Sequence, residues 1–381
     1  MQAADLSLTR RRVAKNDVTN ALFSRAAAGD GGREQVGAGS KRGVWISAAI
    51  VLAIFAGVAV AIWGAGVSRN VGGVVDHRLP AAAGAQPKQA TAIRPLSGPW
   101  VVAVQPGHWQ IAELPQELWR LRTNTGAQWG DVREVDINRA VSSDLISMIT
   151  AQGWKPVLVP ATVPPELRAD AFVAVHADSS SDTSRHGWKL SSPWRSSQAS
   201  RELAKAVAGS FAQEPQLVED VDGITVNMRG YFAFNDRRFV HAIGPYTPAI
   251  IIELGFISNA ADRARLTSDP HYYAGLIMRG LEAYFKGRNR SETADLAPMQ
   301  LPWVMAGPQG VVVRRSPSAD SEALWRIDPG TIMMPVDASG DWYEVFVRHH
   351  FATGWILKSG VVDTADPHWP MPGEAGSANV R

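Results

Sequence analysis

The sequence predicts an α/β protein with an open, twisted, mostly parallel sheet flanked by helices, joined to a small all-β barrel and one transmembrane helix. Three observations predict this. Strand-like and helix-like apolar patterns alternate from Trp100 to about Gly287, the signature of consecutive βα units. Short β-branched runs broken by turn residues fill 302–362, as in a small antiparallel barrel. Residues 44–67 contain no charge at all.

The elements follow in order. Residues 1–43 read as a cytoplasmic disordered tail, because the first 42 carry eight Lys/Arg against four acids and little apolar periodicity. The charge-free run at 44–67 exceeds the ~20 apolar residues that span a bilayer core. Trp45 and Trp63 stand near its ends, where interfacial aromatics belong. Basic residues ahead of it put the N-terminus in the cytoplasm and the rest of the chain outside, as a single-pass membrane protein. A cleaved signal peptide is the alternative, but the leader is long and the apolar run exceeds a signal core. Residues 68–97, rich in Ala, Gly, Pro and Gln, read as a flexible linker with a span of roughly 30 Å.

The α/β domain is expected over 98–288. Within it, 101–104, 156–159, 171–175 and the run around Glu253 read as strands. Helices are expected over 131–149, with Ile137, Val141, Leu145 and Ile149 at helical spacing, over 200–211, and over 271–285. A linker at 289–300 leads to the barrel at 301–364, and 365–381 read as a second disordered tail.

Composition narrows the function. A net charge of +2 gives no reason to expect nucleic acid as a partner. Cysteine is absent, so disulfides and thiolate metal sites are excluded and any metal must be held by His, Asp or Glu. Trp109, Trp188 and Trp194 fall in loop-like surroundings, where they serve either saccharide binding or packing.

The candidate chemistry starts from an energetic anomaly. Glu253 interrupts Ile250-Ile251-Ile252 and Leu254-Gly255-Phe256, a run that reads as a strand buried on both faces. Taking a carboxylate out of water costs several kcal/mol or more unless a charge, metal or donor compensates it. Two further apolar runs end in potential metal ligands, Val101–Val104 leading to His108 and Ala171–Val175 leading to His176. Glu134 lies in the first turn of the expected helix and can reach the same sheet edge. Bland readings stand beside these. His108 can be a loop histidine and His176 a satisfied core histidine. Glu134 sits three residues after Asp131, the spacing of a capping box. Glu253 can pair with a structural Arg229 or Arg237.

Four motifs in order then resemble the zinc-dependent N-acetylmuramoyl-L-alanine amidases of the amidase-3 class. They are Pro106-Gly107-His108, Glu134-Val135-Asp136-Ile137-Asn138, Val175-His176-Ala177, and Pro248-Ala249-Ile250-Ile251-Ile252-Glu253-Leu254-Gly255-Phe256-Ile257-Ser258-Asn259. The resemblance implies zinc held by His108, Glu134 and His176, with Glu253 as the catalytic carboxylate. It also implies peptidoglycan as the substrate and cleavage of the amide between N-acetylmuramic acid and L-alanine by zinc-activated water. Gln105 stands where that family usually has Asp, Trp109-Gln110 replace a Gly-Gly pair, and Asp178 replaces an Asn. Rival expectations are a zinc peptidase cutting within the stem peptide, which Trp109 motivates, and a non-catalytic peptidoglycan-binding or activator protein. The C-terminal segment resembles a bacterial SH3-like domain through Val311–Ser318, Gly340–Val345 and Gly354-Trp355-Ile356, with Trp342, Tyr343 and Trp355 as candidate contacts to wall peptide.

Overall fold

A computed structural model describes residues 95–347 and 350–365. The expected tail, the apolar span at 44–67 and nearly all of the linker lie outside the described residues, as does 366–381. Among the described residues no helix is long and apolar enough to cross a membrane.

The first domain is built on a five-stranded sheet. Strand β1 (Val101–Pro106) is followed by a two-stranded ribbon of β2 (Gln128–Trp129) and β3 (Val132–Arg133), then helix α1 (Glu134–Ala151) and β4 (Lys155–Leu158). Next come β5 (Ala171–Asp178), β6 (Lys189–Ser191), α2 (Gln198–Ala212) and the single turn α3 (Val226–Arg229). Strand β7 (Ala249–Phe256), α4 (Ala260–Ser268) and α5 (Pro270–Phe285) complete the domain. The strand order is β4-β1-β5-β7-β6, parallel except for β6, which runs antiparallel to β7 at one edge.

The central strands are apolar throughout because both faces of the sheet are covered. Alternate residues go to opposite sides. Val102, Val104, Val173, Val175, Ile250 and Ile252 pack beneath α1, α2 and α5 in one core. Ala103, Phe172, Ala174, Ala249 and Ile251 pack against a second, smaller core. Helices dominate only the first face. The second is closed largely by loops and short helical turns at 159–169 and 228–243, including Met228, Ala233 and Ile243.

Helix starts follow local chemistry. The side chains of Ser197 and Asn259 accept from the first free N–H groups of α2 and α4, and Asp269 does the same for α5, where Pro270 takes the first position. Helix α1 begins at Glu134 rather than Asp131, because Val132 and Arg133 pair with Trp129 and Gln128 in the β2–β3 ribbon. Strand β5 also runs three residues beyond the expected Val175, so His176 lies inside the strand.

The second region is all β. Strands β8 (Trp303–Ala306), β9 (Val311–Arg314), β10 (Ala323–Ile327), β11 (Ile332–Ser339), β12 (Trp342–Val347), β13 (Ala352–Leu357) and β14 (Val361–Thr364) form one antiparallel sheet ordered β10-β9-β13-β12-β11-β8-β14. It encloses its own core of Val304, Val311, Val313, Val345 and Ile356, among others. This region rests on the first. Arg229 Nη1 donates to both oxygens of the buried Glu344, at 2.6 and 2.7 Å. The Arg195 amide and Nε donate to the carbonyls of Val336 and Pro335, and the Trp194 ring lies 5.2 Å from that of Phe346. Trp188 is fully buried in the main core. Two of the three singled-out tryptophans therefore serve packing.

Candidate metal centre

The site forms at the carboxyl ends of β1 and β5, where ligands gather in open α/β sheets. After β1 the chain turns through Pro106-Gly107-His108, tied to β5 by the Gly107 amide donating to the Val175 carbonyl at 2.8 Å. Glycine is required at 107, since a Cβ there would lie 2.3 Å from the His176 ring. His108 takes a left-handed conformation (φ 61°), which costs a non-glycine residue energy and turns its ring toward β5. The His108 and His176 rings lie edge to face, 5.1 Å apart.

Glu134 is the hub. Its Oε1 stands 2.9 Å from His176 Nδ1 and 3.3 Å from His108 Nε2. The Ala127 amide donates to its Oε2 at 2.7 Å, and the Ala177 amide and Asn138 Nδ2 donate to Oε1 at 3.3 and 3.2 Å. No side chain caps α1, so the capping box that the Asp131 spacing suggested does not form. Burial favours a neutral Glu134, but when His108 and His176 are protonated, in the positions a metal would otherwise take, their hydrogen bonds and charges outweigh it and hold the carboxyl far below its usual range. Gly126 (φ +82°) makes room, because a Cβ there would fall 2.7 Å from Glu134 Oε2.

The three ligand candidates meet: His108, Glu134 and His176 each offer an atom, all within 4.8 Å of one another. The donor chemistry fits a cation. The Asn124 carbonyl, 2.6 Å from His108 Nδ1, can only accept, so the His108 proton belongs on Nδ1 and the Nε2 lone pair faces Glu134. A lone pair opposite a carboxylate oxygen needs a positive centre. Two imidazoles and one carboxylate suit zinc with one position left open.

Glu253 lies in register between His176 on β5 and Lys189 on β6. Its Oε2 is buried with no hydrogen-bond partner. Burial, then the charges of Glu134 and Asp178, push its carboxyl well up, and Lys189 opposes them. Lys189 is 1% exposed, bonded to Asp178, 3.5 Å from Asp220 and over the Phe256 ring. The cation facing Glu253 is thus Lys189 rather than Arg229, which pairs with Glu344.

Several residues here escaped sequence reasoning. Asn138 had a signal, lying one helical turn after Glu134 and, in the fold, donating also to the Gly107 carbonyl. Lys189, Gly126 and Tyr231 had none. The Tyr231 hydroxyl sits 3.3 Å from His176 Nε2, its ring 5.4 Å from the His176 ring. Burial, with Glu134 and Glu253 nearby, pushes its phenol up and keeps it protonated.

Residues 102–283, just under half of the chain, match the family described as N-acetylmuramoyl-L-alanine amidase, amidase-3 type. No curated protein matches the chain. Among solved structures, the amidase Ami1 from Mycobacterium smegmatis is similar at 18% identity, covering 50% of this chain and 98% of that one, with a TM-score of 0.38. The CwlD amidase from Clostridioides difficile, solved with the GerS lipoprotein, gives 18%, 50% and 100%, with a TM-score of 0.35. The catalytic domain of CwlV from Bacillus (Paenibacillus) polymyxa gives 19%, 50% and 99%, with a TM-score of 0.35. At these values the likeness carries no weight on residue roles.

Proposed function

We propose that this chain is a zinc-dependent peptidoglycan hydrolase that cleaves the amide between N-acetylmuramic acid and L-alanine. Peptidoglycan amide hydrolysis follows from the amidase match over 102–283. What supports the zinc reading is one observation: two imidazole nitrogens converge on a single oxygen of Glu134, with the ionisable Glu253 next in register.

His108, Glu134 and His176 would hold the metal. Zinc bound there supplies Lewis acidity to the scissile carbonyl and lowers the pKa of a water molecule. Glu253 moves the proton. Its raised proton affinity suits a group that must both take and return a proton. The carboxylate accepts a proton from the attacking water as the water oxygen bonds to the carbonyl carbon. When the C–N bond breaks, Glu253 gives that proton to the departing L-alanine nitrogen and is a carboxylate again. Lys189 steadies the ionised form from the neighbouring strand.

The charge-free span at 44–67 anchors the enzyme in the cytoplasmic membrane with its catalytic domain outside, where its substrate lies. The C-terminal β region, read as SH3-like, is the module that contacts wall peptide. In a Glu253→Gln variant, kcat on peptidoglycan drops about 10²- to 10⁴-fold. Metal analysis of the same variant finds zinc at the wild-type stoichiometry. Near-normal turnover in that variant removes Glu253 from the mechanism.

A further inference from the structure

Gln105, Tyr231 and His176 form a hydrogen-bonded line whose direction is fixed at its far end. Gln105 is fully buried, and its Nε2 stands 2.8 Å from the Pro160 carbonyl. That carbonyl can only accept, so the Gln105 amide must point its NH₂ toward it and its Oε1 the other way. Oε1 lies 3.0 Å from the Tyr231 hydroxyl and can itself only accept. Tyr231 has one hydroxyl proton, and it is committed to Gln105. The Tyr231 oxygen facing His176 Nε2 at 3.3 Å is therefore an acceptor, and Nε2 must carry the imidazole proton. His176 Nδ1 is left as a lone pair, 2.9 Å from Glu134 Oε1.

We infer that Tyr231 and Gln105 are positioning residues that lock His176 in the Nε2–H tautomer and so present its Nδ1 to the metal. They do for His176 what the Asn124 carbonyl does for His108, from the opposite side of the site. Outer partners of this kind fix ring orientation and raise ligand basicity, and their loss typically weakens metal binding about 10- to 100-fold. Without the Tyr231 hydroxyl, the competing tautomer places a proton on Nδ1. There it hydrogen-bonds Glu134 and occupies the ligand position. Tyr231 comes from the irregular chain over the second core, two residues after Arg229, whose main-chain carbonyl accepts from the Trp194 amide. Tyr231 thus reaches the site from a segment remote in sequence from all three ligands, whereas Gln105 lies three residues before His108.

This inference rests on the metal reading above, and one experiment separates the two. Zinc affinity of the purified full-length chain is measured by competition with a chromophoric chelator, for wild type, Tyr231→Phe, Gln105→Met and the double variant. Cobalt(II) spectra are recorded in parallel. Tyr231→Phe is expected to weaken zinc binding about 10- to 100-fold and to shift the cobalt absorption. Gln105→Met acts in the same direction, and adds little once residue 231 is Phe, because Gln105 works through the hydroxyl. Unfolding of the metal-free Tyr231→Phe chain stays close to wild type. If wild type binds zinc and both single variants bind it equally well, or if the two effects add in full, the tautomer lock is wrong while the metal site stands. Failure of wild type to bind zinc overturns both.

Discussion

The two β-containing regions of this protein treat buried polar groups in opposite ways. At the sheet edge of the α/β domain, Gln105, Glu134, Asn138, His176 and Lys189 are all buried together within an apolar framework. In the C-terminal β region, among the described residues, Glu344 is the one buried charge, and it is used to grip Arg229 of the first domain. Buried polar groups are costly unless partnered. A cluster that a fold retains therefore points to chemistry, and a core without one leaves the surface to carry function. The first region discloses its activity through its interior. The second does not.

This contrast can be broken at the contact between the two regions. Replacing Glu344 by Ala leaves Arg229, mostly buried, with only the more distant Asp337 carboxylate at 3.9 Å. Removing one partner of such a pair costs on the order of 3 kcal/mol. Urea titration of the full-length chain reads the loss. If stability is unchanged, the β region does not depend on this grip and the two regions are independent.

A smaller effect sharpens the account of Glu253. Its carboxyl is raised by burial and by the Glu134 and Asp178 charges, and held down by Lys189. Replacing Lys189 by Met removes the positive charge, so the ionised form becomes less favourable and the pKa rises further. A general base works only when ionised. The acid limb of kcat/KM against pH therefore moves to higher pH in Lys189→Met. A profile that stays in place, or moves to lower pH, separates Lys189 from the proton carrier.

The same contrast explains what was legible in the sequence. Glu253, His108 and His176 stood out because each interrupts or ends an apolar run, and the fold brings both histidines to Glu134. The central place of β1, β5 and β7 follows from the same runs, since strands buried on both faces lie inside a sheet, but their order does not. Lys189 was invisible because β6 is three residues long and offers no pattern for a charge to break. Tyr231 was invisible because its segment has no period, and its role depends on chain folded over the second core. The start of α1 was misplaced because Val132 and Arg133 satisfy their backbone in a ribbon rather than a helix. In the C-terminal region the strands were readable from alternation. A ligand surface was not, as Trp342, Tyr343 and Trp355 are all half-buried.

The central claim is which bond is cut and by what means. Purified peptidoglycan digested with the full-length chain, with and without a zinc chelator, and analysed by mass spectrometry, tests it directly. The account predicts released stem peptides with free L-alanine N-termini, and none when chelator is present. Stem peptides cut internally with the muramyl–alanine linkage intact, or release that is indifferent to chelator, would contradict it.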